Sequence, residues 1–135
     1  MKQKFSNKWI ESRQRRKQRK YRMNAPLHIK HKIMSSSLSE ELGKKYNRRA
    51  FPIRKGDSVK VLKGKFFGKT GKVADVDLKK MKVTIEGMQN SKRDGTKINV
   101  VFVPANLQIQ ELVLEDKKRM EALNRSKKEE KGGEK

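Results

Sequence analysis

The chain has 135 residues, of which 33% are hydrophobic and 39% are charged, so its compact core must be smaller than the chain. Lysine and arginine number 37 against 15 aspartates and glutamates, a formal net charge of +22. Such an excess repels itself in an isolated fold and favours a polyanionic partner, above all nucleic acid with its regularly spaced phosphates and releasable counterions. With no cysteine, disulfides and thiolate metal sites are excluded.

A membrane partner is not expected, because the hydrophobic runs are too short to cross a bilayer and no amphipathic segment carries a large apolar face. The first twenty residues contain no continuous apolar stretch, so we predict no secretory signal and a cytoplasmic location. We also expect no cofactor and no homo-oligomer.

Residues 1–34 form a basic arm. They carry twelve Lys and Arg against one Glu, half of the net charge in a quarter of the chain. Good helix formers run from Glu11 to Met23 without an apolar stripe, so we expect a helix that only a partner orders. The Asn-Ala-Pro of residues 24–26 ends it. The alternation in residues 27–33 predicts an extended run along a surface.

A short helix is predicted next. Ser37 and Glu40 form the S-x-x-E capping pattern, which opens a helix through about Tyr46. Leu38, Leu42 and Tyr46 are spaced to dock one face of it. The segment ends in a linker punctuated by Phe and Pro at residues 51–52.

From Lys55 onward the apolar period changes to two, which is typical of short, half-buried strands. Asp94-Gly95 between apolar flanks predicts a hairpin. Roughly five short strands without an intervening helix predict a mainly β fold, a small barrel. The strands are expected near residues 58–63 and 70–76, at Val83 and Ile85, at Ile98, Val100 and Phe102, and at Leu107 and Ile109.

The C-terminal part is predicted to be a short surface helix with a disordered, solvated end. Glu115 and Asp116 suit the N-terminal dipole of that helix, and Met120 and Leu123 are its only apolar contacts. The chain then divides into a basic arm (1–34), a short helix and linker (35–53), a barrel (54–112) and a C-terminal helix with its tail (113–135).

Residues 64–70 read GKFFGKT, one residue short of the P-loop pattern G-x-x-x-x-G-K-[ST]. A P-loop leads into a helix whose N-terminus meets the phosphates. Here a valine-rich, strand-like run follows Thr70 instead. The stretch therefore argues against a nucleotide enzyme, and no spacing of serines and acids elsewhere predicts a catalytic residue.

The same stretch suits a tight loop between two strands. Four of the nine glycines lie at residues 56, 64, 68 and 71, and glycine permits positive φ and close backbone approach. One of Phe66 and Phe67 is expected to plug the barrel end while the other stacks on a base or ribose. The loop glycines of the candidate site are Gly64, Gly68 and Gly71.

The pattern G-D-x-V-x-V-x-x-G-x-x-x-G-x-x-G-x-V, from Gly56 to Val73, resembles the KOW motif of ribosomal proteins and transcription elongation factors. That motif implies an SH3-like barrel. With the flanks RKQRKYRMNAPLHIKHKIMSSSLSEELGKKY and FPIRKGD, the chain resembles large-subunit ribosomal protein twenty-four of the archaeal and eukaryotic branch (protein twenty-six in eukaryotic naming), with the archaeal side favoured. The resemblance runs from about Arg16 to Leu123. One departure is VPANLQI, residues 103–109, where the family usually has a His-Pro-Ser-Asn-like turn.

The resemblance implies a structural constituent of the large ribosomal subunit, not an enzyme. It would bind ribosomal RNA, assist early subunit assembly and lie near the nascent-peptide exit tunnel. Its partners would be large-subunit ribosomal RNA, neighbouring ribosomal proteins and nascent-chain factors at the tunnel exit. The RNA contacts expected from the resemblance, the charge run and the aromatic loop are Arg13, Arg15, Arg16, Lys17, Arg19, Lys20, Tyr21, Arg22, Asn24, His28, Lys30 and His31 in the arm, and Lys55, Lys63, Lys65, Phe66, Lys69 and Lys72 in the barrel.

Other functions stay open at this point. A KOW-type, transcription-associated nucleic-acid-binding factor is the main alternative, although the chain has a basic arm where such factors have an additional domain. A barrel that binds protein tails would need an aromatic cage, and the one Trp and both Tyr lie outside the barrel. His28 and His31 form H-x-x-H, an incomplete ligand set for a metal.

Overall fold

Strands dominate the middle of the chain and helices flank them in the structure, a computed structural model that describes residues 3–131 and the side chains of residues 3–125. The helices are α1 (Arg15–Asn24), α2 (Leu27–Ile33), α3 (Glu40–Tyr46) and α4 (Lys117–Lys131), with 3-10 turns at Asn7–Glu11 and Pro104–Asn106. The strands are β1 (Ser35–Leu38), β2 (Ala50–Pro52), β3 (Ser58–Val61), β4 (Thr70–Asp77), β5 (Lys82–Ser91), β6 (Lys97–Phe102) and β7 (Leu107–Glu111).

The strands form one seven-stranded sheet in the order β2-β1-β7-β3-β4-β5-β6. Consecutive neighbours β3 to β6 pair antiparallel, and β7 returns to pair antiparallel with β3, with Val59 opposite Ile109. The other side of β7 pairs in parallel with β1, where Leu38 lies opposite Ile109. The sheet thus joins the segment before the barrel to the last strand of the barrel.

The sheet curls around a single hydrophobic core. The alternating residues of β3 and β7 point inward and are fully buried, as the period of two predicted. Phe66 of the β3–β4 loop meets Phe102 of β6 edge-to-face, with ring centroids 6.0 Å apart, although β3 and β6 are three strands apart in the sheet. This contact across the sheet closes one end, in keeping with a small SH3-like barrel, and the mainly β fold class is confirmed.

The five predicted barrel strands are all present, and Asp94-Gly95 lies in the turn between β5 and β6. Gly95 has a φ of +81°, and the Asp94 carboxylate accepts a hydrogen bond from the Thr96 amide at 3.0 Å. A hydrogen bond from the Thr96 hydroxyl, together with this one from the Thr96 amide, holds the pKa of Asp94 below its usual range. Asp and Gly therefore provide the turn geometry that the sequence pattern predicted.

Three local predictions before the barrel are wrong. Residues 27–33 form the helix α2 instead of an extended run, because Pro26 suits the position just before a first turn and leaves the following residues free to be helical. Ser37 is not a helix cap. It lies in β1, and Ser39 caps α3 by accepting the Leu42 amide. Phe51-Pro52 belongs to β2 instead of a linker.

Gly71 permits β4 and β5 to approach each other closely. A Cβ added at Gly71 would lie 2.7 Å from Cγ2 of Ile85 and 3.1 Å from the carbonyl oxygen of Glu86. Gly71 has ordinary strand geometry, so the constraint is space and not φ. The residue belongs to β4 and not to the loop, which corrects its assignment as a loop glycine.

We expect Gly71→Ala to lower the free energy of unfolding by about 1–3 kcal/mol, because the added methyl overpacks a filled core position. Gly43→Ala is the matched control, since its Cβ would meet only the Arg48 carbonyl at 3.4 Å inside α3. The control should be neutral or stabilising by up to about 1 kcal/mol, from helix propensity. Urea unfolding of both variants measures the difference, and equal effects would contradict the close approach at Gly71.

A buried ion pair fastens α4 to the barrel. Asp57 and Arg119 have side chains that are 0% and 2% exposed, and their two parallel hydrogen bonds measure 2.7 and 2.6 Å. Asp57 also accepts the amides of Arg54 and Val113. The Arg119 guanidinium further donates to the carbonyl of Val113 and lies 5.6 Å from the centroid of the Phe51 ring. This network adds a buried ionic contact to the apolar contacts predicted for the C-terminal helix.

Two further contacts hold α4 on the barrel: the buried Leu123 and an exposed ion pair of Asp116. Leu123 is fully buried in the core, as predicted, whereas Met120 is 38% exposed. Arg54 donates to Asp116 at 2.5 Å, and this bond, with a second from the Lys118 amide, keeps the pKa of Asp116 below its usual range. The stabilisation that ionised Asp116 provides is present at a pH above the ordinary Asp pKa. It is lost as the pH falls through the lowered pKa of Asp116. Because both partners are about two-fifths exposed, the effect is small.

None of the helices within residues 3–131 has the length and apolar character needed to span a membrane. The disordered end predicted for the C-terminal tail falls partly on residues 132–135, which lie outside the described residues.

Candidate nucleic-acid interface

The helix α1 carries a cationic outer face. Tyr21 is its buried residue, and at 100° per residue the four arginines of this helix lie on the half turned away from Tyr21. All four are exposed. An ordered helix thus presents a row of guanidinium groups, which suit phosphate oxygens because they form bidentate hydrogen bonds. The four are Arg15, Arg16, Arg19 and Arg22.

Side-chain bonds to the preceding chain hold α1 in place without an apolar stripe. Gln18 donates to the carbonyls of Trp9 and Ser12, both at 2.7 Å. The Tyr21 ring stacks on Phe5 with centroids 5.2 Å apart. The arm thus has internal contacts besides those a partner would supply, because its polar side chains bond carbonyls of the preceding residues. The expectation that a partner orders the arm stays a prediction.

Two predicted arm contacts take part in this internal structure. Lys20 donates to the carbonyl of Gln3 at 2.9 Å and lies 5.2 Å from the Trp9 ring centroid. Asn24 donates to the carbonyl of Lys4 at 2.8 Å. The Lys20 ammonium and the Asn24 amide thus hold the arm in place. Either group would contact RNA directly only after its bond to the arm opens.

The predicted contact residues of helix α2 differ in their exposure. His28 is exposed and His31 is half-buried, so both are reachable. Lys30 is buried, and its ammonium donates at 3.3 Å to the carbonyl of Lys79 in the β4–β5 turn. Lys30 thereby fastens the arm to the barrel. Lys30 and Tyr21 are both buried in this structure, and their contact with RNA stays a prediction.

The β3–β4 loop presents lysines but does not form a phosphate cradle. Lys63, Lys65 and Lys69 are exposed in the loop, and Lys72 is exposed on β4. The amides of residues 67, 68 and 69 donate to carbonyls at 64, 61 and 66, so they cannot turn toward a phosphate. Strand β4 follows directly. The geometry therefore agrees with the argument against a P-loop, and what the loop exposes is its lysine side chains.

The two loop phenylalanines have different roles. Phe66 is buried against Phe102 in the barrel, and Lys69 lies over its ring at 5.4 Å. Phe67 is 71% exposed. The sequence predicted one core residue and one stacking residue, and Phe66 was assigned to the RNA contacts. Phe66 is therefore the core ring and Phe67 the exposed one, so we expect Phe67 rather than Phe66 to stack on RNA.

We expect Phe67→Ala to weaken binding to large-subunit ribosomal RNA about five- to a hundredfold, the range that base stacking on an aromatic ring provides. The free energy of unfolding of the Phe67→Ala variant should change by no more than about 0.5 kcal/mol. Phe66→Ala is the matched variant and should cost about 3–5 kcal/mol of stability. Denaturant unfolding and RNA titration of both variants test this, and an unchanged RNA affinity for Phe67→Ala would remove it from the interface.

Further exposed cations extend the basic surface beyond the predicted set. Lys92, Arg93 and Lys97 surround the turn between β5 and β6. Lys55, which was predicted, is exposed in the turn before β3. The clustering of Lys92 and Arg93 around the hairpin signal could have identified the tip from sequence, since charged residues at a predicted turn are exposed by default.

No metal site emerges from these residues. Within the part of the chain that the structure describes, no group of three or more His, Asp and Glu side chains is placed to hold a metal ion. His28 and His31 on α2 therefore have no third protein ligand among the described residues.

Comparison with known proteins decides the family. The model of the family described as ribosomal proteins L26 in eukaryotes and L24 in archaea matches residues 12–126. The chain belongs to this family. Two relatives carry the name large ribosomal subunit protein uL24. The protein of Methanosphaera stadtmanae is 48% identical over 114 residues, covering 84% of this chain and 97% of the relative. That of Korarchaeum cryptofilum is 44% identical over 116 residues, covering 86% and 88%.

Membership in this ribosomal protein family confirms the resemblance read from the KOW pattern and its flanks. The match begins before α1 and ends within α4, so it includes the basic arm from residue 12 onward, the barrel and the first part of the C-terminal helix. In the VPAN turn, Asn106 accepts the Leu62 amide through its carbonyl, and Ser36 donates to the Pro104 carbonyl. Backbone carbonyls of Pro104 and Asn106, the two residues shared with the family's usual turn, thus hold the turn. Because backbone groups hold it, the different side chains at residues 103 and 105 are accommodated.

Proposed function

We propose that this protein is a structural constituent of the large ribosomal subunit that binds ribosomal RNA through its arm and its barrel. Family membership supports the ribosomal role, and the relatives bear the name of a large-subunit protein. The observation that carries the RNA-binding part is the row of four exposed arginines on α1, turned away from buried Tyr21. A net charge of +22 needs a polyanion to neutralise it.

The mechanism is electrostatic and structural. Arginines of α1 contact phosphates by bidentate bonds, and the loop lysines act as point charges at a second place. The buried Lys30, whose ammonium bonds the Lys79 carbonyl, connects these two parts. Because arm and barrel are joined, one molecule would bridge separate RNA segments. The proposed direct contacts are Arg13, Arg15, Arg16, Lys17, Arg19, Arg22, His28, His31, Lys55, Lys63, Lys65, Phe67, Lys69 and Lys72.

The family resemblance extends this proposal to the place of the protein in the cell. It acts in the cytoplasm, enters the large subunit early in assembly and lies near the exit of the nascent-peptide tunnel, beside neighbouring ribosomal proteins. Its role is to hold RNA segments together, without catalysis. Depletion of the protein in its host should accordingly accumulate early large-subunit precursors.

Crosslinking in growing cells, followed by sequencing of the attached nucleic acid, tests the proposal. A tagged protein should crosslink to a few segments of large-subunit ribosomal RNA, through peptides from both the arm and the β3–β4 loop. Crosslinks spread over nascent messages would instead favour a transcription-associated KOW factor. Recovery of no RNA would overturn the argument from charge.

A further inference from the structure

A groove of about 300 Å³ opens between the arm and one end of the barrel. Its apolar base includes Met34 and Pro104, both buried, and its apolar walls include Met81 and Val103. Three separate parts of the chain therefore meet there: the end of α2, the β4–β5 turn and the turn that begins at Pro104. The groove shares one residue, Arg22, with the arginine row of α1 and none with the lysines of the β3–β4 loop.

The rim of the groove is cationic. Arg22 from the outer face of α1, and Lys80 and Lys82 from beside the β4–β5 turn, line it. Among the described residues, none that lines the groove carries a carboxylate. An apolar hollow lined by positive charges and no carboxylate fits a ligand that has an apolar body and negative charges next to it.

The backbone at this turn is unusual. Met81 has a φ of +54°, one of two non-glycine residues with positive φ among those described. A methionine in the left-handed region costs free energy, and such conformations concentrate at functional sites. The conformation occurs at a wall of the groove, and methionine is an adaptable surface for a planar ring.

We propose that this groove holds a single unstacked RNA base, with the phosphates on either side of that base neutralised by Arg22, Lys80 and Lys82. The inference rests on the proposed function, which supplies RNA as the partner, and adds a base-binding pocket that phosphate contacts alone do not require. Sequence-specific RNA recognition generally uses such splayed-out bases. An acidic peptide would match the rim but offers no planar group beside each charge.

The test compares two short single-stranded RNA probes of equal length and equal phosphate number. One is an oligoadenylate and the other carries abasic riboses. The comparison, and the variants below, use the full-length Phe67→Ala protein, because the exposed Phe67 ring is itself expected to stack on a base. This protein should bind the oligoadenylate about tenfold more tightly, and the Met81 methyl resonance should shift through the ring current of a bound base. The Met120 methyl, on α4 and outside the groove, should stay in place.

Ala105→Phe fills the groove from an exposed position without changing charge, and it should abolish most of the preference for oligoadenylate while binding to the abasic probe remains. Val101→Phe is the control, since Val101 is exposed on β6 and does not line the groove. It should keep the preference.

Two results separate the inference from the function it rests on. Equal affinity for both probes, or a Met81 methyl that does not move while oligoadenylate is bound, would overturn the base pocket and leave RNA binding intact. Failure of the wild-type protein to bind either probe at low salt would overturn both.

Discussion

Replacing Arg119 with Met should lower the free energy of unfolding by about 3–5 kcal/mol. The substitution keeps most of the apolar volume but leaves the Asp57 carboxylate buried, with the Arg54 and Val113 amides as its remaining hydrogen-bond donors in the described network. A charge that loses its buried partner retains its desolvation penalty. Because small domains are typically stable by about 5–15 kcal/mol, this loss is a large share of the total. Urea unfolding followed by circular dichroism measures it.

Lys118→Met is the control for Arg119→Met, because it removes a cation from the neighbouring, exposed position of the same helix. It should change stability by no more than about 0.5 kcal/mol. The double variant Asp57→Asn with Arg119→Met should be less destabilised than the sum of the single variants, since the second change removes the stranded charge. Additive effects, or an Arg119→Met variant as stable as Lys118→Met, would show that the pair does not hold α4 on the barrel.

Changing Arg15, Arg16 and Arg19 to Gln should weaken binding to large-subunit ribosomal RNA by about two to three orders of magnitude at ~0.1 M salt. Each phosphate interaction that the substitutions remove reduces the slope of log affinity against log salt by about 0.7 to 0.9, so the slope should flatten by roughly two to three. Titrations of the transcribed RNA at several salt concentrations give both quantities.

A triple variant of Lys44, Lys117 and Lys118 to Gln is the matched control for the arm. It removes the same number of exposed charges from α3 and α4, which the proposed interface does not use. Its effect on the salt slope should be well below that of the arm variant. If both triple variants flatten the slope equally, binding follows total charge, and the outer face of α1 has no special role.

The two effects are separate in space and in kind. The Asp57–Arg119 pair joins α4 to the barrel and is closed to solvent, so it contributes to stability and not to RNA binding. The arginines of α1 are exposed and can be neutralised without disturbing the core. Substitutions in the Asp57–Arg119 pair should therefore leave the RNA affinity nearly unchanged. Substitutions of the α1 arginines should leave the free energy of unfolding nearly unchanged.

Much of the fold followed from local sequence. The period of two identified all five barrel strands, because alternate residues of a strand face opposite sides and only one side is buried. Asp94-Gly95 identified the hairpin, because few residue pairs provide its turn geometry. The charge imbalance predicted a polyanionic partner, and the glycine spacing from Gly56 to Val73 pointed to the family that the comparisons confirmed.

The tertiary structure decided what depends on residues far apart in the chain. Residues 35–38 form a strand because β7 offers an edge to pair with, and this removed Ser37 from the capping position. The choice between Phe66 and Phe67 depended on the position of Phe102, which no local pattern specifies. The Asp57–Arg119 pair spans 62 residues, and Arg119 directly follows Lys117 and Lys118, so nothing in the local sequence marks it as the cation that will be buried. Periodicity and turn chemistry act over a few residues and are therefore readable from sequence, whereas burial and pairing between distant segments are set only when the barrel closes.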